Sequence, residues 1–168
     1  LTDTLNVDVN RQNAKAYCML KEYKISVNRY EALKAMGDRS FTTLYYLGVS
    51  QYADNWPYGA RDNLLEAHKK NPMDVNVLYY LAKACARSSW KEEGIAYMNK
   101  AFDMVVPTDS MMIRLYDGLL ECYKFHTKAD PYEKIEVMKE AYSYTKKYTL
   151  FYQIAEIYDY QKDYVNAV

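Results

Sequence analysis

The sequence predicts an all-α fold, a solenoid of helix pairs, and three observations carry that prediction. The first is a self-match at a spacing of 34 residues (Leu44 to Leu78). Leu44, Leu47, Gly48, Ala60, Leu64, Ala67 and Pro72 recur as Leu78, Leu81, Ala82, Gly94, Met98, Ala101 and Val106, with Pro107 one residue later. Large positions stay large and small ones stay small, so one supersecondary unit is copied along the chain. The second observation is spacing. Leu44, Leu47 and Val49 fall at helical intervals, Asp54-Asn55-Trp56-Pro57 breaks the pattern, and Ala60, Leu64 and Ala67 resume it. That pattern describes two short amphipathic helices joined by a tight turn. The third is excess apolar surface: each pair has one face too many to bury alone, so pairs must stack on their neighbours.

Taken in order, the first unit spans roughly 7–40, with Ala14, Tyr17, Tyr23 and Tyr30 in register and Gly37 as a helix stop. Asn10 and Asn13 stand there where large apolar residues belong. In the second unit, 41–74, Gly48, Ala60 and Ala67 let the two helix backbones approach closely. Pro72 ends its second helix and Asp74 is placed to cap the next one. The third unit covers 75–108. The fourth, 109–147, is stretched: Tyr116, Leu119-Leu120 and Tyr123 mark its first helix, Met138 and Ala141 its second. Its loop, Thr127-Lys128-Ala129-Asp130, is longer than the others. Asp130-Pro131-Tyr132-Glu133 restarts a helix with a cap, a first-turn proline and an acid three residues after the cap. A last, incomplete unit, 148–168, shows Phe151, Ile154-Ala155, Tyr158 and Ala167 in the same slots. Because Tyr164-Val165-Asn166-Ala167-Val168 reads only as the opening of a second helix, the chain is expected to be a fragment of a longer protein.

With Leu47-Gly48, Ala60, Leu64, Ala67 and Pro72 in place, the chain resembles the tetratricopeptide repeat family. Leu44 stands for the usual tryptophan, and Gln51, with Tyr52 beside it, for the usual tyrosine. The resemblance covers about four and a half units, nearly the whole chain. It implies a right-handed α-solenoid of antiparallel helix pairs, first helices lining a concave side where proteins or peptides bind. The family's clamp for a chaperone's terminal carboxylate needs lysine and asparagine on successive first helices; the matching places of the second unit hold tyrosine and valine.

Composition narrows the partners. The 22 basic and 22 acidic residues cancel, which argues against nucleic acid as the main partner. No apolar run approaches the ~20 residues needed to cross a membrane. Cys18, Cys85 and Cys122 lie in different units, an odd count that argues against a disulfide framework and favours buried thiols in a reducing compartment. Because the chain begins at Leu1 without Met, the sequence is silent on an upstream signal or anchor. His68 and His126 are the only histidines, so no metal site is expected.

No catalytic motif emerges. Five glycines leave little for a phosphate loop, and no serine sits in a nucleophile elbow. Glu92-Glu93 opens a second helix, where acids favour the positive end of the dipole. Asp117 and Glu121 share a helix face, with Lys124 near enough to neutralise one of them. The chain is therefore read as non-enzymatic and without a cofactor.

Tyrosine is the anomaly: 20 residues against four phenylalanines. Tyr17, Tyr116, Tyr123 and Tyr158 fall at stacking positions. In the register of the resemblance, Tyr45, Val49, Tyr52, Tyr79, Lys83, Arg87, Asp117, Glu121, Tyr152 and Glu156 line the concave groove, with Lys124 and Asp159 on the same wall. Arg11 and Lys15, with Lys83 and Arg87, are candidates for gripping an acidic partner. The leading expectation is a protein-interaction scaffold that takes a peptide or protein segment in this tyrosine-lined groove. The alternative is a sensory or regulatory arm of a larger signalling or enzymatic protein. An exposed final face bearing Phe151, Ile154 and Tyr158 is expected to support dimerisation.

Overall fold

The computed structural model describes residues 6–166, and among them nine helices and no strand. They are α1 (Val7–Met19), α2 (Tyr23–Ala35), α3 (Phe41–Ala53), α4 (Pro57–Lys70), α5 (Val75–Ala86), α6 (Lys91–Asp103), α7 (Asp109–Phe125), α8 (Pro131–Thr145) and α9 (Thr149–Tyr160). Odd-numbered helices are the first members of the pairs and even-numbered ones the second.

Local chemistry explains the boundaries. Asn6, Ser40, Asp74 and Asp130 each accept a backbone N–H of the following first turn. Pro57 and Pro131 open α4 and α8, where a missing N–H costs nothing. Glu133 does not reach back to its cap; its carboxylate accepts the Tyr123 hydroxyl at 2.5 Å instead. The sharp turns use left-handed residues: Lys21 (φ 64°) between α1 and α2, Asn55 (φ 63°) between α3 and α4, and Gly37 (φ 94°) after α2. Lys162, just past α9, repeats that conformation at φ 59°.

Helices within a pair approach closely where the small residues sit. A Cβ on Gly48 would lie 2.5 Å from Leu64 Cγ and 3.1 Å from the Ala60 carbonyl. One repeat later the glycine changes sides: a Cβ on Gly94 of α6 would lie 2.9 Å from the Ala82 carbonyl of α5. Each contact needs only one glycine, facing alanine.

The core follows this architecture as a string of clusters, each shared by neighbouring helices. Ala14, Val27, Tyr30, Leu33 and Leu47 join α1, α2 and α3. Leu64, Leu81 and Cys85 join α4 to α5. Leu78, Met98, Leu115 and Cys122 join α5, α6 and α7, and Met112, Met138, Ile154 and Tyr158 join α7, α8 and α9. The three cysteines are buried and unpaired. Burial pushes the Cys85 and Cys122 thiols up to about 11 and about 12, which keeps them protonated and unreactive.

Some polar residues of the interior have partners of their own, although the buried Oδ1 of Asn13 has none among the described residues. Gln51, in the slot expected for tyrosine, is buried, accepts from Asn63 at 2.8 Å and donates to Glu31 at 2.8 Å. Lys34 donates to the same Asn63 at 2.7 Å. Ser26 and Ser50 meet at 2.8 Å in the interior. The second helix of the first pair is thus tied to the second pair by hydrogen bonds as well as apolar contact.

First helices touch one another from α1 to α3, α3 to α5 and α5 to α7. Second helices meet only through side chains, as in Lys34 with Asn63 and His68 with Tyr97, while their backbones stay apart, which places the tighter, inner side of the curvature at the first helices. The sequence does not foresee the exception: the backbones of α7 and α9 stand apart.

The expected C-terminal apolar face is corrected in detail. Ile154 and Tyr158 are buried against α7 and α8, and only Phe151 of the three stays exposed, its ring 4.5 Å from that of Tyr142. Tyr148, Tyr152, Tyr160, Tyr164 and Val165 are further exposed apolar or aromatic residues around α9. Ala167, read as a packing residue, lies outside the described residues.

Candidate functional site

The inner wall is built where α3, α5 and α7 lie side by side. Residues three or four apart share a helix face, so Tyr45, Val49 and Tyr52 line one side of α3. Tyr52 donates its hydroxyl to Glu121 of α7 at 2.5 Å, across the whole width of α5. Lys83 of α5 completes that link, with Nζ 3.0 Å from Glu121 and resting over the rings of Tyr52 (5.2 Å) and Tyr79 (5.0 Å). Arg87 lies 5.1 Å over Tyr52 and donates to Asn55 at 2.7 Å. Six of the sequence-predicted residues therefore form one connected cluster spanning three first helices: Tyr45, Tyr52, Tyr79, Lys83, Arg87 and Glu121, with Tyr45 joined through the ring of Tyr80.

Tyr80 is the residue the sequence reading missed. Its ring meets Tyr45 at 6.2 Å, Tyr52 at 6.3 Å and Tyr79 at 5.2 Å, all edge-on, and Arg114 sits 6.0 Å above it. Tyr79 does a different job. It is only 9% exposed, and its ring lies where a Cβ on Gly118 would come within 2.8 Å, so it fills the gap between α5 and α7. One residue along a helix turns the side chain by about 100°, which sends Tyr79 toward α7 and Tyr80 toward α3. The signal was present: Tyr45-Tyr46 recurs 34 residues later as Tyr79-Tyr80. Tyr46 likewise joins the wall, edge-on to Tyr45 at 5.0 Å with Lys15 Nζ 5.2 Å over it. Below these rings Val49, Met19 and Tyr23 complete a hollow of about 260 Å³.

The remaining predicted positions are separate. Asp117 is exposed and paired at 2.6 Å with Lys147 of the α8–α9 connection, while Glu121 is held by Lys83, so Lys124 neutralises neither. Tyr152 is 75% exposed and meets none of the other rings, and Glu156 faces a cleft between α7 and α9. Arg11 is not available to an acidic partner, because Asp38 and Asp8 already hold its guanidinium at 2.9 and 2.6 Å.

Electrostatics in the wall follow from burial. Burial is the largest influence on the Tyr52 hydroxyl and, with the Glu121 carboxylate, raises it to about 12. Burial also dominates at Tyr116, pushed up to about 12 with help from Glu140, and it raises Tyr30, Tyr45 and Tyr123 further. For Lys83 burial works against the charge, but the Tyr79 and Tyr52 oxygens and Glu121 outweigh it and the ammonium is held. In each case the folded value lies above the unfolded one, so the stabilisation is complete below about pH 10 and is lost as pH rises through the folded value. An absorbance titration should show these buried tyrosines ionising only as the chain unfolds, at about pH 12 or above. A single transition near 10 with the helices intact would contradict this burial.

Among the described residues no three His, Cys, Asp or Glu side chains converge on a possible ion site, and no helix is long and apolar enough to cross a membrane.

No family profile matches the chain, and no curated protein matches it in sequence. Solved structures do match. MamA MSR-1 superposes with a TM-score of 0.77 at 13% identity, over 98% of this chain and 91% of that one. YrrB, described as "a TPR protein with an unusual peptide-binding site", gives 0.74 at 12% identity, over 99% and 83%. The C-terminal part of a TPR repeat-containing protein from Cytophaga hutchinsonii gives 0.73 at 19%, over 94% and 60%. The chain therefore has the all-α fold of the tetratricopeptide-repeat solenoids.

Proposed function

We propose that this chain is a protein-interaction scaffold, without catalysis of its own, that takes up a peptide or protein segment along its inner first-helix wall. The observation that carries the reading is Tyr80, whose ring meets Tyr45 and Tyr52 of α3 and lies under Arg114 of α7, while Lys83 and Arg87 of α5 rest over Tyr52 to continue the same shelf. Tyrosine suits recognition because it offers large contact area, few rotors and a polar tip. The peptide-binding site in the description of YrrB, which shares the fold, agrees with this use. The proposed contact set is Tyr45, Tyr46, Val49, Tyr52, Tyr80 and Arg87; Tyr79 supports it from beneath.

The test is capture of native partners followed by calorimetry on the tightest one. Tyr80→Ala is expected to weaken that complex by about 2 kcal/mol or more, as for a buried aromatic anchor. Lys139→Ala, on exposed α8, is expected to leave it unchanged. Helical content measured in parallel separates lost binding from lost folding. Equal losses for the two variants, or a partner held on the second helices, would remove the inner wall from consideration.

A further inference from the structure

The first-helix layer is continuous from α1 to α7 and then opens on its inner side, because the α7 and α9 backbones stand apart and share only the buried cluster with α8. The opening is a cleft of about 490 Å³, floored by α8. A second hollow of about 290 Å³ adjoins it, sharing Lys124, Lys134, Glu156 and Ile157. The first volume falls within the roughly 300–1,000 Å³ of pockets that hold ligands.

Its lining is amphipathic. Leu120, Met138, Leu150 and Ile157 supply apolar surface. The charges are Lys124 on α7, Lys134 on α8, Lys147 before α9, and Glu121 and Glu156. Two of these are already matched, Glu121 by Lys83 and Lys147 by Asp117. Elsewhere on the inner side the cations are also engaged: Arg87 with Asn55, Arg114 with Asn76. Lys124 and Lys134 have no ion pair or side-chain hydrogen bond among the described residues, and Glu156 on the facing wall has none either.

We propose that this cleft docks an extended acidic and apolar segment of a partner protein. Its apolar side chains seat on Leu120, Met138 and Ile157, and its carboxylates meet Lys124 and Lys134. The proposal rests on reading the inner side as a peptide-binding wall and names the chemistry of the peptide. Two unmatched lysines on the α7–α8 wall against one glutamate on α9 give the cleft a direction as well as a sign. Carboxylates belong on the α7–α8 wall, and Glu156 disfavours the reverse placement.

The experiment uses the whole chain and three fluorescein-labelled synthetic peptides read by anisotropy: alternating aspartate and leucine, alternating lysine and leucine, and alternating aspartate and serine. The aspartate–leucine peptide is expected to bind best, and more weakly as salt is raised. Lys124→Glu with Lys134→Glu should weaken it at least tenfold and reverse the preference toward the lysine–leucine peptide, while Glu156→Gln should tighten it. Helical content should be unchanged, since both lysines are unpaired. Absence of binding by the aspartate–leucine peptide, equal binding by the aspartate–serine peptide, or indifference to the double lysine variant would overturn the proposal. So would a self-associated chain that the lysine variant renders monomeric, which would assign the cleft to a second copy. A native partner that loses affinity with Tyr80→Ala but ignores the lysine variant would overturn the cleft and leave the inner wall standing.

Discussion

Leu81→Ala is expected to destabilise the chain by about 2–5 kcal/mol, the cost of emptying a fully buried leucine site. Leu81 has no exposed surface and sits in α5 against Ala60, Leu64 and Cys85, midway along the stack. Small neighbours cannot collapse into the space, because the α3–α4 and α5–α6 contacts already run backbone to backbone at Gly48 and Gly94. A loss of this size lowers the melting temperature by roughly 5–20 °C for a chain of this length. Position matters too. In a solenoid each pair is held by its neighbours, so weakening the middle should uncouple α1–α4 from α6–α9 and broaden the transition. Urea unfolding of Leu81→Ala beside Leu20→Ala, whose side chain is exposed, checks both points. The second variant should stay within about 0.5 kcal/mol of the parent. Similar midpoints for the two would contradict a central interface at Leu81.

Asp38→Ala is expected to cost about 3 kcal/mol, the low end for breaking a buried ion pair. Asp38, between α2 and α3, accepts from Thr43 Oγ1 at 2.6 Å, from the Ser40 N–H at 3.0 Å, and from Arg11 Nε and Nη2 at 3.1 and 2.9 Å. Its removal leaves the largely buried Arg11 guanidinium held by Asp8 alone and unties α1 from the start of α3. Burial alone would raise this carboxyl, but the Thr43 and Ser40 hydrogen bonds and Arg11 bring it down to about 2. The folded value is the lower one, so the stabilisation is present above the unfolded value near 3.9 and is lost as pH falls toward 2. The shift corresponds to about 2 kcal/mol of the pH-dependent part. Urea midpoints measured from pH 7 down to 2 should therefore show the gap between parent and variant constant above about 5 and shrinking below 4. A gap independent of pH would mean that the carboxylate's charge is not what holds this corner.

The sequence by itself determined the helix pairs, their order and the small residues between them. Gly48 with Ala60 and Ala82 with Gly94 are legible because close backbone approach permits few side chains, and the restriction recurs with the repeat. Helix starts at Asp74 and Asp130 were legible because capping is local chemistry. What depended on a neighbouring helix was not. Gln51 stood in a tyrosine slot for no visible reason until Asn63 and Glu31 supplied its partners from α4 and α2. Arg11 looked free until Asp38, 27 residues away, took it. Tyr79 and Tyr80 are equivalent in composition and adjacent in sequence, and only the packing of α5 between α3 and α7 decides which ring is buried and which faces the wall. The separation of α7 from α9 was beyond any repeat pattern. A repeat fixes which faces are apolar, whereas the spacing between two stacked helices is set by the side chains of the third helix that lies between them.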